Sequence, residues 1–310
     1  MKVEIKDITS AYGEALVEIG KAYPNVVVLN SDTADSCKTE GFLKAFPERS
    51  FDLGVAEQSL PTIAAGLSLN GKIPFYNSIA AFAVLRGVDM IRMSIAYSNT
   101  NVKIVGHAAG QSMGYTGPSH HTLEDIAILR AIPNITILSP CDAVETEQMV
   151  WKMAETQGPM YLRLVRATVP NFHKKNYKFQ IGNTELMKNG TDITIFVTGD
   201  MITLAMELNY VFNSKNISCK IINVPTLKPI NVNEVIGHGK TTLGALTIED
   251  HSIFGGLGSI IAEIYAEFLQ KPVKRMGILD TFTESDNAAV LRSKYGLNVD
   301  LAIKLISEIL

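Results

Sequence analysis

Ile73-Pro74-Phe75-Tyr76-Asn77 is a short apolar run, and Val102-Lys103-Ile104-Val105-Gly106 is another. Between them, from Ser78 to Tyr97, Val84, Val88, Ile91 and Ile95 recur at helical spacing and form one apolar stripe. Strand, helix and strand in that order read as a βαβ unit, with parallel strands covered by the helix. The pattern extends outward in both directions. Val26–Asn30, Ser50–Leu53, Ile135–Leu138 and Met160–Leu164 read as further strands, with helical stretches between most of them. Thr122 with Asp125, and Asp142 with Glu145, look like capping boxes at two helix starts. The rhythm breaks over Asn171–Asp192, which is rich in Lys and Asn, and a short strand is expected there near Lys178–Ile181. It then resumes with strands at Ile193–Thr198, Cys219–Val224, Leu243–Ile248 and Val273–Ile278. Helices are expected at Ile202–Phe212 and Ser259–Leu269, and a helix, a turn at Gly296 and a helix close the chain. The expected fold class is α/β, with mainly parallel sheets in two domains, residues 1–170 and 190–310, joined by a linker over 171–189.

Composition narrows the function. The 310 residues, 46% hydrophobic and 19% charged, suit two packed cores and not a disordered chain. A net charge of −3 offers no basic face for nucleic acid. No apolar run is long enough for a membrane span, and the first residues carry no apolar signal region. Cys37, Cys141 and Cys219 lie far apart and match neither a disulfide framework nor a metal spacing, so a reducing cytoplasm is expected.

Ligands of open α/β sheets bind beyond the carboxyl ends of strands. Asp32 and Ser36 follow Val26–Asn30, Glu57 follows Ser50–Leu53, Asn77 and Ser78 end the next strand, and His107 follows Val102–Gly106. Four strands thus send polar side chains toward one expected rim. Glu57 also has a plainer reading, as a carboxylate at the start of a helix whose apolar face is Leu60, Ile63, Ala64 and Leu67. Phe82, Arg86, Asp89 and Met93 fall opposite the core stripe of their helix. An aromatic beside a charge pair there suits either a subunit contact anchored by Phe82 or a ring-stacking ligand contact. The Gly-rich loop from Gly106 to His121 carries His107, His120 and His121, three of the six histidines. It has no helical histidine pair and no nearby cysteine, so proton shuttling or substrate recognition fits better than metal binding. Gly255-Gly256-Leu257-Gly258 lacks dinucleotide spacing and reads as close backbone packing. No P-loop and no G-x-S-x-G elbow is present.

Taken together, Gly54-Val55-Ala56-Glu57-Gln58, Phe82 with Arg86 and Asp89, and Gly117-Pro118-Ser119-His120-His121 with Glu124-Asp125 resemble the pyrimidine-binding domain of transketolases. Arg130-Ala131-Ile132-Pro133-Asn134 and Ser139-Pro140-Cys141-Asp142 continue the likeness. Pro225-Thr226-Leu227-Lys228-Pro229, Glu249-Asp250-His251-Ser252 and Phe282-Thr283-Glu284-Ser285 are similar to the C-terminal domain of that family. The family binds the diphosphate of thiamine diphosphate, through Mg²⁺, on a further domain with a G-D-G…N motif that this sequence lacks. The resemblance therefore implies the C-terminal subunit of a split enzyme, completed by a separate diphosphate-binding subunit in a two-plus-two heterotetramer. It implies that Glu57 bonds the aminopyrimidine of the cofactor, that Phe82 stacks on it, and that Asp32, Ile79 and Arg86 lie beside it. His107 and His120 would contact the donor ketose and help move protons, with Ser36, Thr116 and Arg166 also on the substrate side.

Three positions depart from the family pattern. Thr9 stands where a phosphate-binding arginine is usual, Thr116 where an aspartate recognises a sugar hydroxyl, and Ile79 where an aromatic is common. The loop from His107 to His120 is also one residue longer. Losing a charged phosphate contact costs about 1.5–3 kcal/mol if nothing replaces it, which leaves open substrates other than the usual pentose phosphates. Two other thiamine-diphosphate enzymes are alternatives, the beta subunit of a 2-oxo-acid dehydrogenase and a deoxyxylulose-phosphate-synthase-like enzyme. A non-catalytic assembly partner is the alternative of another class.

Overall fold

The computed structural model describes residues 4–310. The first sheet is built on β2 (Val26–Asn30), β3 (Ser50–Asp52), β4 (Ile73–Ile79), β5 (Lys103–His107), β6 (Thr136–Leu138) and β7 (Met160–Arg163). These six are parallel, in the order β6-β7-β5-β4-β2-β3. β2, β4 and β5 are buried along their whole length, as expected for strands covered on both faces. Helices α1 (Ile8–Ala22) and α7 (Ala143–Glu155) pack together on one face, with the short α2 (Glu40–Ala45) against α1. On the other face lie α3 (Leu60–Leu69), α4 (Ala80–Leu85), α5 (Val88–Met90) and the wide π turns of Ile91–Tyr97. β1 (Ile5–Asp7) pairs with β8 (Thr168–Pro170) in a small antiparallel ribbon.

The second sheet holds β9 (Glu185–Lys188), β10 (Ile193–Val197), β11 (Cys219–Asn223), β13 (Gly244–Ser252) and β14 (Val273–Ile278), in the order β14-β13-β10-β11-β9. Only β9, at the edge, is antiparallel. α8 (Ile202–Asn213), α9 (Val232–Lys240), α10 (Leu257–Phe268), α11 (Ala288–Lys294) and α12 (Val299–Ser307) surround it. The stretch expected as linker thus contributes a strand at Glu185–Lys188, and Lys178–Ile181, where one was expected, is irregular. Two further expectations change. The helix expected from Ser78 to Tyr97 breaks at Arg86-Gly87, where the backbone passes so close to Pro61 that a Cβ on Gly87 would lie 2.9 Å from its Cγ. Thr122 caps no helix: its backbone forms a bridge with Gly110, and α6 (Asp125–Ala131) begins after Glu124. Asp142 does cap α7, accepting from the Glu145 N–H at 2.8 Å, while Glu145 reaches back to the Cys141 N–H.

The domains share more than a linker. β12 (Thr226–Lys228) leaves the second domain and pairs antiparallel with β6, extending the first sheet to seven strands. One apolar core runs from Leu60, Tyr76 and Ile104 through Ile126 and Leu129 to Leu257, Ile260 and Tyr265. Lysines inserted at helix C-termini reinforce packing both between the domains and within the first, because an ammonium satisfies the last free carbonyls. Lys228 donates to the Arg130 and Ile132 carbonyls after α6, and Lys103 to those of Thr156 and Gly158 after α7. Lys103 is fully buried, and burial pushes its pKa down to about 7.

His173 is a polar counterpart at the junction. Its Nδ1 meets Asp142 at 2.8 Å and its Nε2 meets Glu185 of β9 at 2.5 Å, with the Tyr177 ring 3.9 Å away. Burial opposes its charge, but hydrogen bonds to Asp142 and Glu185 outweigh burial and lift its pKa to about 10. The unfolded imidazole has an ordinary pKa near 6.5, so this stabilisation is complete below that pH and is lost as pH rises through 10. Thermal melts should therefore show stability falling over that window, and His173→Gln should remove the dependence and cost about 3–5 kcal/mol. Gly256 yields a second expectation. A Cβ there would lie 2.1 Å from Glu249 Oε2, and Glu249 is held in place by the N–H groups of Leu257 and Gly258 at 2.7 Å each. Gly256→Ala should lower stability by about 1–3 kcal/mol in denaturant unfolding.

Candidate active site

β3, β2, β4 and β5 are parallel neighbours, so their carboxyl ends share one edge. The order reverses between β2 and β4, which makes a crevice at the switch point. Two backbone outliers sit on this edge. Asp32, after β2, has φ 57°, and Ala108, after β5, has φ 56°. Non-glycine residues held in that region mark strained sites, and alanine has no side chain to offset the cost. The Asp32 N–H is held by Asp52 at 2.9 Å. Ser31 and Ser78, at the ends of β2 and β4, are joined at 2.8 Å between hydroxyls.

Glu57 lies in the turn between β3 and α3, one turn ahead of the helix, and is only 4% exposed. Its carboxylate accepts from Arg86 Nη1 at 3.0 Å. The Arg86 guanidinium lies over the Phe82 ring, 4.1 Å from its centroid, and the edge of His120 meets that ring at 5.0 Å. Glu57, Arg86, Phe82 and His120 thus form one chain of contacts built from three separate segments. The break at Arg86-Gly87 falls at the arginine that meets Glu57. Arg86 pairs with Glu57 and not with Asp89, the partner expected from the helical pattern, and Asp89 is exposed.

His107 ends β5 and is 1% exposed. Its Nε2 lies 3.2 Å from Asn77 Oδ1, which also accepts from the Tyr12 hydroxyl at 2.5 Å. Asn77 Nδ2 donates to the Leu29 and Phe75 carbonyls, which fixes the amide orientation and leaves Oδ1 as the acceptor. His107 must then carry its proton on Nε2, and Nδ1 is a buried acceptor without a partner among the described residues. Burial pushes its pKa down to about 3, so the ring is neutral at ordinary pH. A neutral imidazole with a free nitrogen can take a hydrogen bond, or a proton, from a ligand hydroxyl. Tyr12 and Asn77 complete this unit; Asn77 was visible as a strand-end residue, whereas nothing local marked Tyr12, which arrives from α1.

The other expected residues divide. Ile79 is buried at the end of β4, and Arg166 is exposed just beyond β7, with its N–H on the Ser112 hydroxyl at 3.1 Å. Ser36 is half-buried in the segment after β2. Thr116 is exposed in a turn of the histidine loop, and its hydroxyl is spent on the Met113 carbonyl at 2.6 Å. Thr9 is buried in α1 and bonds the Val165 carbonyl at 3.3 Å, so it supplies no replacement phosphate contact. Cys37 is a buried thiol whose pKa burial raises to about 12. Cys141 was uninformative in the sequence; it joins Asp142 and His173, with Glu145 and Glu185 close by, in a grouping of metal-ligand type beyond the carboxyl end of β6. Both nitrogens of His173 are occupied by carboxylates there, so the grouping is closed by its own hydrogen bonds.

The tautomer of His107 can be read directly. In an NMR titration, the His107 ring should stay neutral with Nε2 protonated from about pH 5 to 8. The unfolded chain binds that proton near pH 6.5, whereas the folded chain does so only near 3, so acid below 6.5 should weaken the fold through this residue. A His107 midpoint near 6.5 would contradict the geometry.

Residues 5–171 match the family model described as transketolase, pyrimidine binding domain, and residues 182–301 match that of the transketolase C-terminal domain. A Methanocaldococcus jannaschii protein, provisionally named a transketolase C-terminal section, is 40% identical over 306 residues, covering 98% of this chain and 96% of that one. A 6-deoxy-6-sulfo-D-fructose transketolase subunit of Clostridium sp. (strain MSTE9) is 32% identical over 309 residues, covering 100% and 96%. Among solved structures, a split-gene transketolase described as an inactive beta4 tetramer superposes with a TM-score of 0.91 at 39% identity, covering 98% of both chains. With both of its domains matched, the chain belongs to the transketolase family.

Proposed function

We propose that this chain is the pyrimidine-binding subunit of a two-subunit enzyme that moves a two-carbon ketol unit from a ketose donor to an aldose acceptor. The observation that carries the reading is the chain of contacts Glu57–Arg86–Phe82–His120 at the switch-point edge. Glu57 offers a carboxyl group that can share a proton with a ring nitrogen of an aminopyrimidine, and Phe82 offers a flat apolar surface. Arg86 holds the Glu57 carboxyl group in place at 3.0 Å. These residues fit thiamine diphosphate, which supplies a thiazolium nucleophile and an electron sink when bound. Phe82 stacks on the pyrimidine, with Asp32 and Ile79 beside it. His107 accepts a donor hydroxyl at Nδ1 and His120 serves the neighbouring oxygen, while Ser36, Thr116 and Arg166 face the rest of the sugar.

The diphosphate and its Mg²⁺ are assigned to a separate subunit, and the assembly to two copies of each chain in the cytoplasm. In support, the beta chains of the structural neighbour are described as forming an inactive tetramer by themselves. The substrate class inferred is an anionic ketose outside the usual pentose phosphates. Relatives named for 6-deoxy-6-sulfo-D-fructose and for apulose 4-phosphate support this, as does Thr9 in place of an arginine.

The test is reconstitution with the diphosphate-binding partner, captured in the presence of thiamine diphosphate and Mg²⁺. Glu57→Ala should leave assembly intact and lower turnover at least ~100-fold, and Phe82→Ala should weaken cofactor binding about 10-fold. Unchanged turnover in Glu57→Ala would sink the cofactor role. Decarboxylation of pyruvate without added ketose would favour a 2-oxo-acid or deoxyxylulose-phosphate type of enzyme instead.

A further inference from the structure

We propose that the second domain is the positioning element of the histidine loop, acting through Asp250 and Thr283. The inference rests on reading that loop as the one that meets substrate. The loop leaves β5 at His107 and enters α6 at Asp125. Inside its own domain it is tied by Ala109 N–H to the Leu164 carbonyl, by the Gly110–Thr122 bridge and by the Arg166 N–H on the Ser112 hydroxyl. The second domain adds three further ties. The Gln111 N–H donates to Asp250 Oδ2 at 3.0 Å, the Asp286 N–H donates to the Gly114 carbonyl at 3.2 Å, and His121 Nδ1 meets the Thr283 hydroxyl at 2.6 Å.

The glycines of the loop have the same explanation. A Cβ on Gly110 would come within 2.6 Å of Asp250 Cγ, one on Gly114 within 2.3 Å of the Asp286 carbonyl, and one on Gly117 within 2.4 Å of the Ser285 hydroxyl. The second domain lies against all three, and Gly110 and Gly117 in addition hold φ of 65° and 71°. Asp250 cannot yield, since Arg292 donates to it from Nε at 2.9 Å and Nη2 at 2.7 Å and is itself anchored to Asp200 at 2.7 Å. Adhesion between the domains is supplied elsewhere, by the shared apolar core and the β12–β6 pairing. The polar contacts converge on the loop, at Gln111 and Gly114 between the two histidines assigned to the substrate and at His121 directly after the second, where a small displacement is costly to turnover.

Thr283→Val keeps the side-chain shape and removes the hydroxyl, and Asp250→Asn keeps an acceptor and removes the charge. Hydrogen exchange on the isolated chain should show the amides of residues 110–121 exchanging about 10-fold faster in either variant, with β10 and β13 unchanged. With the partner added, turnover of the ketose donor should fall about 10-fold at unchanged thiamine diphosphate affinity, and Thr283→Ser should restore both readouts. If Asp250→Asn does not fold, Thr283→Val decides alone. Unchanged loop exchange in folded Thr283→Val, or faster exchange spread evenly through the second domain, would overturn the proposal. If no assembly transfers two-carbon units, the functional reading fails, and the exchange pattern still decides whether the second domain fixes the loop.

Discussion

Arg163 ends β7 with almost no contact with water, and four structural units depend on where its guanidinium points. It donates to Asp125 at the start of α6 at 2.9 Å, to the Thr122 carbonyl where the histidine loop closes, and to the Asp250 carbonyl on β13 of the second domain at 2.9 Å. The Tyr161 hydroxyl donates to the same Asp125 oxygen, Oδ2, at 2.7 Å, and His251 Nε2 lies 3.8 Å from the other. A buried ion pair recovers its desolvation cost only when every donor and acceptor is in place. Strand, helix, loop and second domain must therefore dock in one arrangement. The network is better understood as a specifier of geometry than as a source of net stability.

The same economy governs the candidate site. A parallel sheet buries its strands on both faces and leaves only their carboxyl ends for polar chemistry. There Asn77 serves both Tyr12 and His107, and its own amide is oriented by two backbone carbonyls. The result is an imidazole with one defined tautomer, neutral because water is excluded. Glu57 is buried too, and its partner there is the guanidinium of Arg86 at 3.0 Å.

Much of this was legible in the residues. Strand and helix periodicities located most elements, because parallel strands are short uninterrupted apolar runs and their covering helices are amphipathic. Glu57, Phe82, His107 and His120 were legible as candidates because each stands beside a strand end or within a recognisable run. Less legible were features that depend on distant partners. Thr122 and Asp125 have the spacing of a cap, but Asp125 is claimed by Arg163, 38 residues later in the chain. Arg86 and Asp89 have the spacing of a pair, but the helix breaks between them and Arg86 turns to Glu57. The strand at Glu185–Lys188 carries a weak local pattern, since an edge strand is buried on one side only and its alternation is short.

By itself the sequence determined the α/β class, the two-part organisation and which residues are candidates for the site, because these depend on local periodicity and on residue type at strand ends. Only the tertiary structure decided which partners they take. Tyr12 reaches Asn77 across 65 residues, Thr283 reaches His121 across 162, and β12 crosses to the sheet of the other domain. Hydrogen bonds and close packing act over a few ångströms in space, and chain separation carries no record of that distance until the fold is closed.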